Sequence, residues 1–117
     1  MNIDWNPVIH VLDELSEGTH SFLELSYMAP HYKRESFLDS LLFLSDRGLV
    51  EMSMGRETRL PVSQLESSYL LRKAFGVDAP DPAMMVNTSI DLTDAGEQIL
   101  RLLNVGHPPL SVAETGS

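Results

Sequence analysis

The stretch from residue 32 to residue 52, YKRESFLDSLLFLSDRGLVEM, constrains the fold of this chain more than any other part of it. At about 100° per residue its apolar side chains fall on one side of a helix, chiefly Phe37, Leu41 and Leu44. The spacing predicts a helix over about residues 33–47. Gly48 follows its last turn, where glycine commonly ends a helix. Residues 49–54 then alternate, which predicts a half-buried strand.

Capping residues and apolar spacing predict four more helices, two before this stretch and two after it. Their expected starts are Asn6-Pro7, Ser21, Ser63 and Thr93. Strict alternation from residue 84 to residue 92 predicts a second strand, which leads into the last helix. The element order is therefore three helices, a strand, an extra helix, a strand and a final helix. We expect an α+β fold that is mainly helical.

Length and composition favour one domain with a real core, since the chain has 117 residues and is 43% hydrophobic. We expect this domain to span residues 1–104 and a loose tail to follow over 105–117. Cysteine is absent, so disulfides and thiolate metal sites are ruled out. No apolar run reaches the roughly 18 residues of a membrane span, and the N-terminus lacks signal-peptide features. We expect a cytoplasmic protein without a membrane partner.

The formal net charge of −9 is distributed unevenly along the chain. Residues 1–30 and residues 74–117 each carry −5, whereas residues 31–73 carry +1 and hold seven of the eight basic side chains. A polyanion would be repelled by most of this chain and tolerated only by its middle.

Catalytic and metal-binding patterns are not found in the sequence. The four histidines are scattered without an i, i+4 pair, and no nucleophile-elbow, phosphate-loop or dinucleotide-binding motif occurs. We therefore expect neither an enzyme nor a protein that carries a metal or a cofactor.

Two phrases carry a family resemblance: LSDRGLV at residues 44–50 and LTDAGE at residues 92–97. Together with the element order, they resemble the winged-helix superfamily, in particular MarR-like bacterial transcriptional regulators. The resemblance implies a winged helix-turn-helix with a two-stranded wing sheet. It also implies that residues 61–83, which contain the extra helix, are an insert between the wing strands.

The resemblance implies double-stranded DNA as the partner, with the helix at about 33–47 as the recognition helix and the wing beside it. Members commonly act as dimers, so a homodimer is a further expectation. The residues that match the DNA-contacting positions are Lys33, Arg34 and Arg47 near phosphates, Ser36 and Ser40 at base edges, and Arg56 and Arg59 on the wing.

The outward face of the same helix suggests an alternative partner. Asp39, Phe43 and Asp46 lie on this face, and two acids with a large ring are poor ligands for the major groove. An outward phenylalanine is covered by a neighbouring element, such as the inserted helix, or is part of a protein interface, and contact with the groove is the least expected of the three. The alternative is therefore an acidic winged helix that binds a protein through these three residues and does not bind DNA.

Overall fold

The structure is a computed structural model that describes residues 3–55 and 57–106. Within these residues it has six α-helices, four short strands and one 3-10 turn at Ala29–His31. In chain order the elements are α1 (Trp5–Leu15), β1 (His20–Ser21), α2 (Phe22–Ser26), α3 (Arg34–Asp46), β2 (Val50–Met54), β3 (Leu60–Pro61), α4 (Gln64–Phe75), α5 (Pro82–Asn87), β4 (Thr88–Leu92) and α6 (Asp94–Gly106). The predicted α+β class, mainly helical, is confirmed.

The four strands form one antiparallel sheet in the order β1-β4-β2-β3. Strand β4 lies in the middle, and its Ile90 pairs with His20 on one side and with Met52 on the other. Strand β3 extends the other edge of β2, with Leu60 opposite Met54. The chain therefore leaves the sheet after β3, builds α4 and α5, and returns as β4 between β1 and β2.

The core lies where α1, α2, α3 and α4 meet the inner face of this sheet. Its largest fully buried side chains include Leu12, Phe22, Leu25, Phe37, Leu41, Leu44, Met52, Leu71 and Ile90. Both the helical stripe of α3 and the alternation of β2 supply members of this set, as predicted. Burial of each such side chain contributes about 1.5–3 kcal/mol to folding.

The capping residues explain where several helices begin. Ser21 and Glu24 form the predicted capping box, with each side chain accepting from the other residue's backbone N–H. Ser63 caps α4 by accepting from the Glu66 backbone N–H at 3.2 Å. Helix α1 departs from the prediction, because Asp4 is its cap and accepts from the Asn6 N–H at 3.1 Å.

The prediction that one strand covers residues 84–92 is wrong in its first half. Residues Pro82–Asn87 form α5, because the Asp81 side chain accepts from the Ala83 N–H and Pro82 occupies the first helical position. In this helix Met85 is buried and Val86 is exposed, the reverse of what the strand prediction required. Only Thr88–Leu92 pairs in the sheet.

Strands β1 and β3 were not predicted either, since a two-residue strand has no measurable alternation.

Helix α6 extends two residues beyond the predicted end at residue 104, and residues 107–117 of the expected tail lie outside the described part of the chain. Among the residues that are described, no helix is both long enough and apolar enough to cross a membrane.

Candidate interaction surface on helix α3

Helix α3 is fixed at its C-terminal end by local hydrogen bonds. The Leu49 N–H donates to the Leu44 carbonyl at 2.9 Å and the Gly48 N–H donates to the Ser45 carbonyl at 3.0 Å. This is the Schellman pattern, and it requires the positive φ of 69° that Gly48 adopts. The backbone of the last turn therefore ends in a well-defined geometry.

Helix α4 lies antiparallel along one side of α3. Near the end of α3, the Gln64 Nε2 group donates to the carbonyls of Ser45 at 3.0 Å and of Asp46 at 2.7 Å. At the opposite end, Leu38 lies against Gly76, where an added Cβ would be 3.3 Å from Leu38 Cδ2. Helix α4 thus covers this side of α3 over most of its length.

The N-terminal end of α1 covers part of the other side of α3. The Trp5 ring meets the Phe43 ring edge to face, with centroids 5.5 Å apart, and the Arg47 guanidinium carbon lies 4.9 Å from the Phe43 centroid on the same ring. Phe43 is half-buried, and Trp5 and Arg47 both cover part of its ring. Trp5 itself is 52% exposed, so an aromatic surface remains open beside α3.

Between these two sides, α3 presents an acidic strip, which consists of Glu35, Asp39 and Asp46. Spacings of four and seven residues align the three carboxylates along one helical line, and all three residues are exposed. Within residues 3–55 and 57–106, none of them has a basic side chain within 4.0 Å. The three carboxylates of the acidic strip are therefore not neutralised by ion pairs within the described residues.

Two features of the acidic strip oppose the stability of α3, although Glu35 itself lies in the first turn, where the helix dipole favours an anion. Like charges four residues apart, such as Glu35 and Asp39, destabilise a helix by about 0.2–0.5 kcal/mol. Asp46 lies in the last turn, where the helix dipole disfavours an anion. Side chains that oppose local stability and remain exposed are candidates for binding a partner.

The two serines predicted to contact bases are not equally available. Ser40 is only 1% exposed, and its hydroxyl donates to the Ser36 carbonyl at 2.7 Å. The prediction that Ser40 reaches a base edge is therefore wrong, because this position faces the core side of the helix. Ser36 is half-buried.

The predicted phosphate-binding residues are divided between the two ends of α3. Lys33 and Arg34 stand at its start and Arg47 at its end, about 20 Å apart at a rise of 1.5 Å per residue. Arg34 forms an ion pair with Asp78. Arg59 is exposed and lines a shallow depression with Glu51 and Asp91, while Arg56 lies outside the described residues. The described basic side chains therefore do not form one continuous strip along α3.

Three residues that shape this surface were not among the predicted site residues: Trp5, Gln64 and Asp78. Each meets α3 from a distant part of the chain. Asp78, for example, is 44 residues from Arg34. Nothing in the local sequence pattern indicates these pairings.

In the part of the chain that the structure describes, no three metal-ligating side chains lie close enough together to hold a metal ion. No protein-family model, curated protein or solved structure matches this chain significantly.

Proposed function

We propose that this chain is a winged-helix domain that binds a protein partner through the acidic strip and the adjoining aromatic surface of Trp5 and Phe43. The winged-helix assignment is supported by the element order and by the position of β4 between β1 and β2. Further support for the proposal is that one family-like phrase lies at the end of α3 and the other at the start of α6.

The observation that carries the choice of partner is the open face of α3. A winged helix that reads DNA inserts this face into the major groove, between two rows of phosphates. Glu35, Asp39 and Asp46 would bring three carboxylates into that field. Repulsion between these carboxylates and the phosphates opposes the binding of DNA.

The inserted helix gives a second reason. Helix α4 contacts both α3 and β2, so it occupies the space between the two elements that a winged helix brings to DNA. Its outward face carries two exposed hydrophobic side chains, Leu65 and Tyr69, and its basic residues, Arg72 and Lys73, are confined to its last turn. Duplex DNA would have to displace α4 before α3 and the wing could contact it together.

The chemistry of the surface defines the partner. Carboxylates beside the exposed ring of Trp5 and the half-buried ring of Phe43 suit a segment that combines lysine or arginine with an apolar anchor. The Arg47 side chain, stacked on Phe43, closes the patch at one end. We therefore expect a basic, amphipathic segment of another protein.

A peptide selection tests this proposal directly. The full chain is used to select binders from a random peptide library, and the enriched peptides are expected to contain basic and apolar residues. Their binding should be lost in Asp39→Lys and in Phe43→Ala. The control Asp13→Lys makes the same charge change on an exposed position of α1 and should retain binding.

Duplex DNA provides the complementary arm of the test. The chain is titrated with random-sequence duplex at about 50 mM and about 200 mM salt, over which a protein making many phosphate contacts loses affinity steeply. We expect no binding at the lower salt. Salt-dependent binding of the duplex, or enriched peptides that ignore both Asp39→Lys and Phe43→Ala, would overturn the proposal.

DNA binding is the second candidate, and one observation favours it. The start of α3 and the end of α4 lie side by side, which brings Lys33 and Arg34 to the same end of the molecule as Arg72 and Lys73. A duplex could lie across this end without entering the acidic strip. In that case Lys33→Gln and Lys73→Gln would each weaken DNA binding and reduce the salt slope by about one.

A further inference from the structure

A second feature lies apart from the acidic strip: a pocket between the insert and the N-terminal half of the domain. It has a volume of about 510 Å³, within the range of about 300–1,000 Å³ typical of small-molecule sites. Helices α2, α3, α4 and α5 all contribute to its walls. We call it the insert pocket, and its principal lining residues are Leu23, Phe37, Phe75, Val77, Met85 and Val86.

The walls of the insert pocket are mostly apolar and well fixed. Eleven of its fourteen lining residues are apolar, and three of those are prolines. The Phe37 and Phe75 rings meet edge to face with centroids 5.6 Å apart, and Tyr32 stacks on Phe37 at 5.9 Å. A pocket built from packed rings and prolines does not need to reorganise when a ligand enters, which lowers the free-energy cost of binding.

The rim of the insert pocket leaves apolar surface in water. Leu23, Val77 and Val86 are 39%, 45% and 48% exposed, respectively. Three neighbouring aliphatic side chains around one opening form a patch of the kind that marks a binding site. An apolar ligand that covered them would remove this surface from water, which favours binding.

Arg34 is the lining side chain with the most hydrogen-bond donors to spare. The hydroxyl of Tyr32 is already bonded to His10 Nδ1 at 2.6 Å, and that of Ser26 donates to the Leu23 carbonyl. The Arg34 guanidinium has five N–H donors and contacts a single carboxylate oxygen of Asp78. Its side chain is 53% exposed, so it remains accessible to a ligand.

We propose that the insert pocket binds a small, mainly apolar organic acid. Its ring or branched aliphatic part lies against Phe37 and Phe75, and its carboxylate accepts hydrogen bonds from Arg34, because arginine and carboxylate form charge-assisted and often paired hydrogen bonds. Asp78 holds the guanidinium at the pocket and also competes with the ligand for it. This proposal does not rest on the proposed protein partner, which binds a different surface.

A matched pair of probes tests the proposal: 2-naphthoate and its uncharged analogue 2-naphthamide, titrated calorimetrically into the full chain. We expect 2-naphthoate to bind about tenfold more tightly than the amide, the factor that one charge-assisted hydrogen bond typically provides. Amide NMR shifts should map both probes to residues of α2, α4 and α5 around the pocket.

Three variants separate the role of Arg34 from general charge. Arg34→Gln should abolish the preference for the acid, whereas Arg72→Gln, which removes an exposed arginine outside the pocket lining, should preserve it. Asp78→Asn removes the competing carboxylate and should tighten 2-naphthoate binding several-fold, leaving the amide unchanged. All three side chains are exposed, and circular dichroism checks that each variant folds.

Several results would overturn the proposal. In the wild-type chain, they are the failure of both probes to bind and equal affinity for the acid and the amide. Among the variants, the refuting result is an equal effect of Arg72→Gln and Arg34→Gln. In the NMR experiment, it is a set of shifts that lie elsewhere on the surface.

Discussion

Gly96 lies in one family-like phrase, residues 92–97, and packs against Leu49 in the other, residues 44–50. Replacing Gly96 with alanine therefore tests the packing of α6 on the end of α3. A Cβ at this position would lie 2.1 Å from the Leu49 carbonyl oxygen and 2.7 Å from Leu92 Cδ1. The Leu49 carbonyl has little freedom to move, because it accepts the Thr93 N–H at 3.1 Å. The Thr93 hydroxyl in turn donates to the Gly48 carbonyl at 2.7 Å. Gly96 therefore allows α6 to pack directly on the turn that ends α3.

Two opposing effects set the magnitude for Gly96→Ala. Alanine gains at most about 1 kcal/mol in helix propensity over glycine. Against this, carbon and oxygen normally approach no closer than about 3.3 Å, so α6 or the Leu49 backbone must shift by roughly 1.2 Å. Overpacking of this kind costs about 1–3 kcal/mol and occasionally more, and the large shift required here places it near the upper end of that range. We expect a net loss of about 2 kcal/mol, which corresponds to a fall in Tm of roughly 8 °C.

Urea unfolding of the full chain, followed by far-UV circular dichroism, measures this loss as a lower midpoint at unchanged slope. The control is Ala95→Gly, an exposed position in the same turn of α6, which measures the propensity effect alone. It should destabilise by no more than about 1 kcal/mol. If Gly96→Ala is as stable as the wild-type chain or more stable, the close packing of α6 on the turn at Gly48 is incorrect.

Two further predictions concern a buried hydroxyl and a capping carboxylate. The Thr88 hydroxyl is fully buried and has no hydrogen-bond partner among the described residues. Replacing it in Thr88→Val should therefore raise the free energy of unfolding in urea by about 1 kcal/mol. A loss of stability would show that the hydroxyl has a partner. The pKa of Glu24 is lowered, chiefly because its carboxylate accepts a hydrogen bond from the Ser21 backbone N–H. The contribution of Glu24 to folding stability is therefore present above its ordinary pKa and is lost as the pH falls through the lowered pKa. The stability advantage of the wild-type chain over Glu24→Gln should therefore shrink as the pH falls below 4.5, and an advantage that stayed constant down to pH 2 would contradict this assignment.

The sequence determined the local elements whose signals lie within a few residues. The stripe of Phe37, Leu41 and Leu44 predicted α3 because helical periodicity alone places those side chains on one side. Gly48 predicted its end for an equally local reason, since the turn there needs a positive φ. Where two local signals competed, as at residues 82–87, alternation suggested a strand and the cap formed by Asp81 and Pro82 produced a helix.

Only the tertiary structure decided which side chains of α3 are available to a partner. The burial of Ser40, the contact of Trp5 with Phe43 and the ion pair of Arg34 with Asp78 all depend on elements that approach α3 from elsewhere in the chain. Periodicity identifies the apolar side of a helix but not which neighbours cover the remainder. The acidic strip was partly visible in the sequence as Asp39 and Asp46, whereas its isolation between α1 and α4 follows from long-range packing that no local pattern encodes.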